Sequence, residues 1–581
     1  MGAEFLQANL TAGELTPELH ARTDIERYKN GLSKATNMVI LPYGGLRRRP
    51  GLAKITDTKV SADSRLIPFV FNTAQTYLLV IRPLAIDIYK DGVIQSTEVT
   101  PYTAEQIYDV DAIQSADTVI FAHELHAPRK LVRGLIHTDW TFSTITFTNQ
   151  PTEWNITDGY PRTCTFFGNR LWFASSTQKP TSIWGSKISG FFDFGLGVGA
   201  ADEGIADELD TNEFNIIKKI FAGRTLQAFT TGAEFYNSST AITPESSSWA
   251  KQTGYGSSSI KPIFIDGATI FIDSSERTVR QYFYDYNEDG YVSLNASILS
   301  SHLITRAIAM DSIKGTQYDV GDYVYVVNED GTAAVFNTMR KEEIAGWTPW
   351  ETDGLFKDVC VLNKEVYFLV ERNGSTFIEL LTENTYTDHN VVQTGTKPTV
   401  ANVVSGADNI VSGTDNIVHS DNSTGTLVYS LQTDYDTAFL TTEFKVVADF
   451  SIMDDQIPAG TDGNNTISVA RGAYRLETGL NYKTNVTTLP ISTESKAGET
   501  YHRRKRVVKV DINVIDSLGV YARKRFTGDR AFPVVLDEAP TPFTGFKEMY
   551  LLGYSRKTEI EITQEEPLPF LLRGLGYEIA Y

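Results

Sequence analysis

The sequence predicts a mainly β, multi-domain protein with a propeller-like central body, additional β domains and a short helical N-terminal segment. Three observations predict it. The chain has 581 residues, more than one hydrophobic core usually serves. Beyond about residue 55, short runs of β-branched and aromatic residues alternate with turn pairs almost to the end. For roughly 300 residues these signals recur without intervening helical patterns, which favours radially repeated sheets or stacked sandwiches over an α/β layer. Neither a WD pair, a fixed period nor an Asp-box spacing stands out.

Residues 1–55 read as an N-terminal arm carrying a short helix. Thr23 stands three residues before Glu26, as in a capping box, Ile25, Tyr28 and Leu32 share a face, and Gly31 closes the segment. Residues 56–387 read as the central body. Asp-Gly and Asn-Gly pairs supply the positive φ angles of tight reversals, so LAIDIYKDGVI turns at Asp91-Gly92, YVYVVNEDGTAAVF at Asp330-Gly331 and VYFLVERNGSTFIELL at Asn373-Gly374. Leu84, Ile86 and Ile88 alternate with Ala85, Asp87 and Tyr89, as in a sheet buried mainly on one face.

Residues 388–470 are rich in Gly, Ser, Thr, Asn and Asp and contain the near-duplicates SGADNIV and SGTDNIV. They read as an insert, either an exposed loop region or a small β lobe at a tip, with LVYSLQ and FLTTEFKVVADF as strand candidates. Residues 471–581 form a C-terminal β domain in which VVKVDINVIDSLG and EIEITQEEPLPFLLRGLGYEIA alternate well.

The formal net charge of -20 argues against a general affinity for nucleic-acid backbone, which needs Lys and Arg to displace counterions. Cys164 and Cys360 have no CxxC or zinc-ligand spacing, so no disulfide framework is expected and a reducing compartment fits. No secretory signal, myristoylation signal or long apolar span is visible, and Asn155-Ile156-Thr157 carries no glycan meaning in that setting.

Several short patterns invite chemistry. DYNEDGYVSLNA begins like an EF-hand loop at Asp285, but position 12 is Ala296 and VRQYFY before it reads as a strand, so a polar β turn is expected over calcium. GLGVGA, 195–200, fits a loose dinucleotide pattern, yet Asp202 and Glu203 stand where pyrophosphate would be received, so a flexible loop is expected. HELH places His123 and His126 three apart at the end of a strand, where they are expected to point to opposite sides of an ordinary hairpin. The acidic run ADEGIADELD contains Asp202, Glu203, Asp207, Glu208 and Asp210 and reads as a solvated loop, with Mg or Ca as the alternative. YHRRKRVVKV contains Arg503, Arg504 and Arg506, and LPYGGLRRRPG contains Arg47, Arg48 and Arg49 between Gly-Gly and Pro-Gly turns. In so acidic a chain these arginines are expected to bind carboxylates, within the fold or across a subunit boundary. No metal, cofactor or catalytic residue is predicted.

The N-terminal block ANLTAGELTPELHARTDIERYKNGLSKATNMVILPYGGLRRRPG resembles the opening of the tail nozzle, or tail tubular protein B, family of short-tailed bacteriophages. The resemblance rests on Gly13 to Pro17, on Arg27 with Tyr28, at a closer spacing than the family's box, and on Gly44 to Gly51. NRLWFASSTQKPTSIWGSKISGFFDF, with Trp184, Ser186, Asp193 and Phe194, is similar to a later segment of that family. So are TGAEFYNSSTAITPESSSWAKQTGYGSSSIKPIFIDGATIFID, EEIAGWTPWETDG and the stretch from GLNYKTNVTTLP through TPFTGF to QEEPLPFLLRGL. The likeness covers most of the chain outside 388–470, and its specificity lies in the order of short motifs.

It implies a non-enzymatic virion protein, made in the host cytoplasm. Six copies would form the distal nozzle of a short tail below the portal and adaptor, with tail fibres or spikes and the host envelope as further partners. DNA would pass at ejection without specific binding, and the acidic residues 202, 203, 207, 208 and 210 are candidates for the channel wall. A receptor-binding tail module, with 388–470 as the contact surface, and a host-polysaccharide depolymerase are the other readings.

Overall fold

The computed structural model describes residues 2–55, 60–315, 320–394, 410–411, 417–421, 427–432, 435–436, 439–461, 464–469, 473–492, 494–495, 498–499, 501, 504–529 and 539–580. Turn chemistry sets the strand pairing. Asp91 and Gly92, at φ of 49° and 79°, form a two-residue reversal that pairs Lys90 with Val93, and Asn373 and Gly374, at 48° and 74°, pair Arg372 with Ser375. Asp266-Gly267 does the same between Ile265 and Ala268. The third expected reversal is longer: at Asp330-Gly331 the loop is closed by the Asn328 amide on the Thr332 carbonyl.

These hairpins build four-stranded antiparallel sheets in chain order at 65–99, 111–144, 163–208, 217–253 and 263–295. The first four strands of two larger sheets, 307–350 and 355–382 with Gly51–Lys54, complete seven blades among the described residues. The body is a β-propeller. Its ring is closed by a strand from the other end of the chain: Gly51–Lys54 pairs antiparallel with Ser375–Thr382, bringing Leu52 opposite Leu381. Each junction between neighbouring blades holds its own apolar cluster, for example Phe69, Tyr77 and Trp140 between the first two and Tyr325, Trp350 and Phe368 between the last two.

Because blades stack face against face, the one-faced burial expected of Leu84 to Tyr89 is not what forms. Ile86 and Ile88 are buried on one side, and Asp87 and Tyr89 are also buried on the other, while Leu84 is exposed in the turn. Asp87 is tolerated there because Arg82 donates to it at 2.6 Å and 3.1 Å and Thr97 at 2.6 Å.

The N-terminal segment is not a helical arm. Where a short helix was expected, Glu26–Asn30 is one 3₁₀ turn without a side-chain cap, and Gly31 starts the strand Gly31–Thr36. Sheet pairing outweighs the local helix signal. Gly13–Glu14 runs parallel to Ile344–Trp350 of the sixth blade and continues that sheet through Gly31–Thr36, Thr484–Thr488, Glu561–Gln564 and Val520–Ala522. The seventh blade is extended in the same way by Asp388–Thr394, Arg475–Leu480 and Lys445–Ala448. A separate six-stranded sheet combines Gly2–Gln7, Met38–Ile40 and Leu46–Arg48 with Leu571–Ala580, Arg506–Ser517 and Phe543–Tyr550. Within 388–470, Ile410–Val411, Ile417–Asp421, Leu427–Gln432, Asn464–Val469 and Ala459–Thr461 form a five-stranded sheet.

Candidate functional site

Leu46–Arg48 belongs to the six-stranded terminal sheet, and Gly51–Lys54 closes the propeller. The two residues between them, Arg49 and Pro50, are where the chain crosses from one sheet to the other. Gly51 has no room for a side chain, since a Cβ there would meet the Thr387 carbonyl oxygen at 2.1 Å. Arg48 and Arg49 are 2% and 0% exposed. A buried guanidinium is stable only where its N–H groups find acceptors.

Arg49 finds them in a fork: Nη1 and Nη2 reach the two Asp388 carboxylate oxygens at 2.8 Å and 2.6 Å. Its Nε donates to Asn37 at 3.1 Å, and its Cζ lies 3.6 Å from the Tyr482 ring centroid. Arg47 is ion-paired with Glu383 at 3.1 Å. Arg48 corrects the expectation of carboxylate partners: it donates to the Gln564 side chain at 2.7 Å and to the carbonyls of Glu566, Tyr386 and Tyr482.

The network continues behind Asp388. Thr352 donates to it at 2.6 Å, and Arg372 lies 3.9 Å away. Arg372 in turn grips Glu379 through two bonds of 2.7 Å, and His389 Nδ1 donates to the same carboxylate at 2.7 Å. Burial works against the Glu379 charge, but Arg372 and His389 outweigh it and hold the carboxyl down at about 2. Burial pushes the His389 imidazole down, and its ring is packed between Phe377 and Phe439. Nearby, Glu477 Oε1 accepts the amides of Tyr386 and Thr387 at 2.6 Å and 2.9 Å. This hub ties the N-terminal segment, the last two blades and the C-terminal sheets together. The sequence reading missed Asp388, Arg372, Glu379 and Glu477. The Arg49 and Asp388 positions are 339 residues apart, and no local pattern links them.

The second basic run is not one charged surface. Arg503 lies outside the described residues. Arg504 is exposed, Arg506 is half-buried at the start of its strand, and Lys505 is fully buried. Lys505 donates to the Ile491 carbonyl, and burial lowers its ammonium to about 8.

The acidic run lies on the outermost strand of the third blade, Ile205–Glu208, and the loop before it, away from the propeller axis. Asp202, Glu208 and Asp210 are exposed. Asp207 accepts from Ser247 and from Trp249 Nε1, and Glu208 accepts from Thr181 at 2.9 Å. Glu203 folds back into the Gly loop, where one carboxylate oxygen accepts the amides of Val198, Gly199 and Ala200 at 2.7, 2.7 and 2.8 Å. The amides of the loop that fitted the loose dinucleotide pattern are thus filled by the chain's own carboxylate.

HELH also differs from expectation. His123 and His126 are opposite one another across the two-residue turn, so their rings lie 5.2 Å apart on one side rather than on two. His123 is buried, and its imidazole is pushed down to about 4 by burial and by His126. Among the described residues, no group of three or more His, Cys, Asp or Glu is placed to hold a metal ion. Asp285 pairs with Gly290 across a β turn, as the strand pattern before it predicts.

The propeller axis holds a cavity of about 890 Å³, lined by first strands of the blades through Ile67, Ile113, Ile263, Met310 and Asp358 among others, and by Lys261. Carboxylates around it sew blade to blade. Asp111 accepts the Cys164 amide at 3.1 Å, Asp311 the Val361 amide at 2.7 Å and Asp358 the Leu66 amide at 2.6 Å. Asp111 is compensated by Lys219 at 3.5 Å and Lys261 at 3.9 Å. Asp311 and Asp358 form no ion pair among the described residues, and burial raises both to about 6.

No family model matches the chain, and no curated protein matches it. Among solved structures it is similar to the WD40 domain of Neurospora crassa Pan2, with 9% identity and a TM-score of 0.35, over 58% of this chain and 97% of that one. It is also similar to the WD40 repeats of RRP9, with 9% identity and a TM-score of 0.38, over 58% of this chain and 100% of the other.

Proposed function

We propose that this chain is a structural virion protein, the nozzle at the distal end of a short phage tail, acting as a ring of copies through which DNA leaves. One observation carries the proposal: the block on which the family resemblance rests, Gly44 to Gly51, is a structural keystone, with Arg48 and Arg49 buried at the crossing between propeller and terminal sheets. A motif used to lock sheets together suits a wall that must withstand force.

A closed ring needs two different, complementary patches on each copy. The edge strand Phe543–Tyr550 exposes Phe546 and Tyr550, and the following Leu552 and Tyr554 are exposed as well. Arg504 lies beside this region, since Lys505 and Ser555 are bridged. The outer edge of the third blade offers the opposite sign through Asp202, Glu208 and Asp210. Adaptor proteins, fibres or spikes and the host envelope are the partners that go with this role, and the net charge of -20 on each copy would repel phosphate, so that DNA passes without specific binding.

Electron microscopy of the purified chain, with native mass spectrometry, tests the proposal. A ring with a central channel is expected, and a monomer at tens of micromolar together with no label at the tail of the virion would sink it. The five-stranded sheet within 388–470 favours a second reading, receptor binding at that lobe. Deleting 410–432, which removes three strands of that lobe and leaves Phe439 and Lys445–Ala448 in place, separates the two: a nozzle still assembles into particles, and loss of adsorption alone supports the receptor reading.

A further inference from the structure

On the propeller face that carries the first and third turns of the blades, a cavity of about 240 Å³ opens between the fourth and fifth blades and the start of the last turn of the sixth. Two arginines line it. Arg224 lies in the first turn of the fourth blade, with Cζ 5.5 Å from the Tyr284 ring centroid, and Arg340 follows the third strand of the sixth, with Cζ 3.6 Å from that of Phe283. Neither guanidinium has a carboxylate within ion-pair distance among the described residues. Stacking on a ring occupies the guanidinium face and leaves its N–H edge for an in-plane acceptor such as a carboxylate.

The other walls are aromatic and polar. Tyr291 stacks on Tyr282 at 4.8 Å, and Tyr284 meets it edge-on at 5.7 Å. Tyr286 stands at the rim, 88% exposed. Gln227 is 1% exposed, and its Oε1 accepts from Thr269 at 2.8 Å, while its amide nitrogen makes no hydrogen bond among the described residues. Asp285 adds a carboxylate that accepts the Asn287 amide at 2.8 Å and has lone pairs to spare. Donors for an anion, the exposed Tyr286 ring for the C–H face of a pyranose, and an amide and a carboxylate for its hydroxyls thus converge in a space of single-ring size.

The geometry points to a binding site for one acidic sugar residue, a uronic-acid type ring whose carboxylate meets Arg224 and Arg340 while Gln227 and Asp285 take its hydroxyls. The site involves none of the surfaces used for ring closure, so it stands or falls apart from the nozzle proposal. Binding needs no chemical step, and the chain acts here as a lectin.

Saturation-transfer NMR and calorimetry with glucuronate, glucose and inorganic phosphate test the assignment. Glucuronate is expected to saturate at about millimolar concentration, as single-sugar contacts do. It should bind about tenfold more tightly than either glucose or phosphate, because only it uses both halves of the site. Arg340→Gln and Tyr286→Ala should each weaken glucuronate by about fivefold or more with the melting temperature unchanged, the second from a position too exposed to affect folding. Phosphate binding as tightly as glucuronate, glucuronate and glucose binding alike, or no saturation by glucuronate would each overturn the proposal.

Discussion

Two sets of buried carboxylates hold this molecule together, and they do so by opposite means. Around the propeller axis, Asp311 and Asp358 each accept one backbone amide from the next blade and one from the residue that follows them, and burial raises both to about 6. At the hub, Glu379 is equally buried but sits in the fork of Arg372 and is held at about 2. Amide donors orient a carboxylate without neutralising it, whereas a guanidinium does both. Asp311 and Asp358 therefore set the spacing of blades at a cost in charge burial, and the hub is a lock between the propeller and the terminal sheets in which Asp388, Glu379 and Glu477 each face an arginine.

Removing a cation from the hub should break this contrast most sharply. Arg372→Ala leaves Glu379 charged and buried, and Arg49→Ala does the same to Asp388. Each is expected to cost about 3–5 kcal/mol of unfolding free energy in denaturant titrations. A loss below about 1 kcal/mol for both would show that the hub is not what joins the two regions.

The pH dependence of stability should separate the two sets. Glu379 has a folded pKa below its unfolded value, so its contribution is complete above about 4.5 and is lost as pH falls towards 2. His389 is depressed by burial, so it adds a loss of stability as pH falls below about 6.5. Asp311 and Asp358 have folded pKa values above their unfolded ones, so they contribute in the other direction, adding stability as pH falls from about 6 towards 4. Replacing both with Asn should remove that gain, visible as a steeper fall in unfolding free energy between pH 6 and 4. An unchanged profile would argue against ionised axial carboxylates.

The smallest effect is expected at the rim. Glu203→Ala empties the row of amides at Val198 to Ala200 without touching the core. Global stability should stay as it is while limited proteolysis within 195–203 speeds up, since exposed loops are cut where local order is weakest. Equal cutting rates in the two proteins would mean that the loop is held by something else.

Much of the local plan was readable. Asp91-Gly92 and Asn373-Gly374 are the reversals that their residue types require, and Asp285 to Gly290 is a β turn because strand-forming residues precede it. Elsewhere local signals lost to distant partners. The Thr23 and Glu26 pattern suggests a helix cap, yet Gly31–Thr36 is claimed by Thr484–Thr488. His123 and His126 end on one side because the strand reverses between them.

By itself, the sequence determined the β class, the tight reversals at Asp91-Gly92 and Asn373-Gly374 and the net charge of -20, since these depend on residues a few positions apart or on composition. Tertiary structure alone decided that the ring is closed by Gly51–Lys54, that Arg49 meets Asp388 rather than a neighbouring copy, and that the amides of the Gly loop are filled by Glu203. Strand pairing and charge burial are settled by whichever partner reaches the site with the right geometry, and sequence separation carries no information about that.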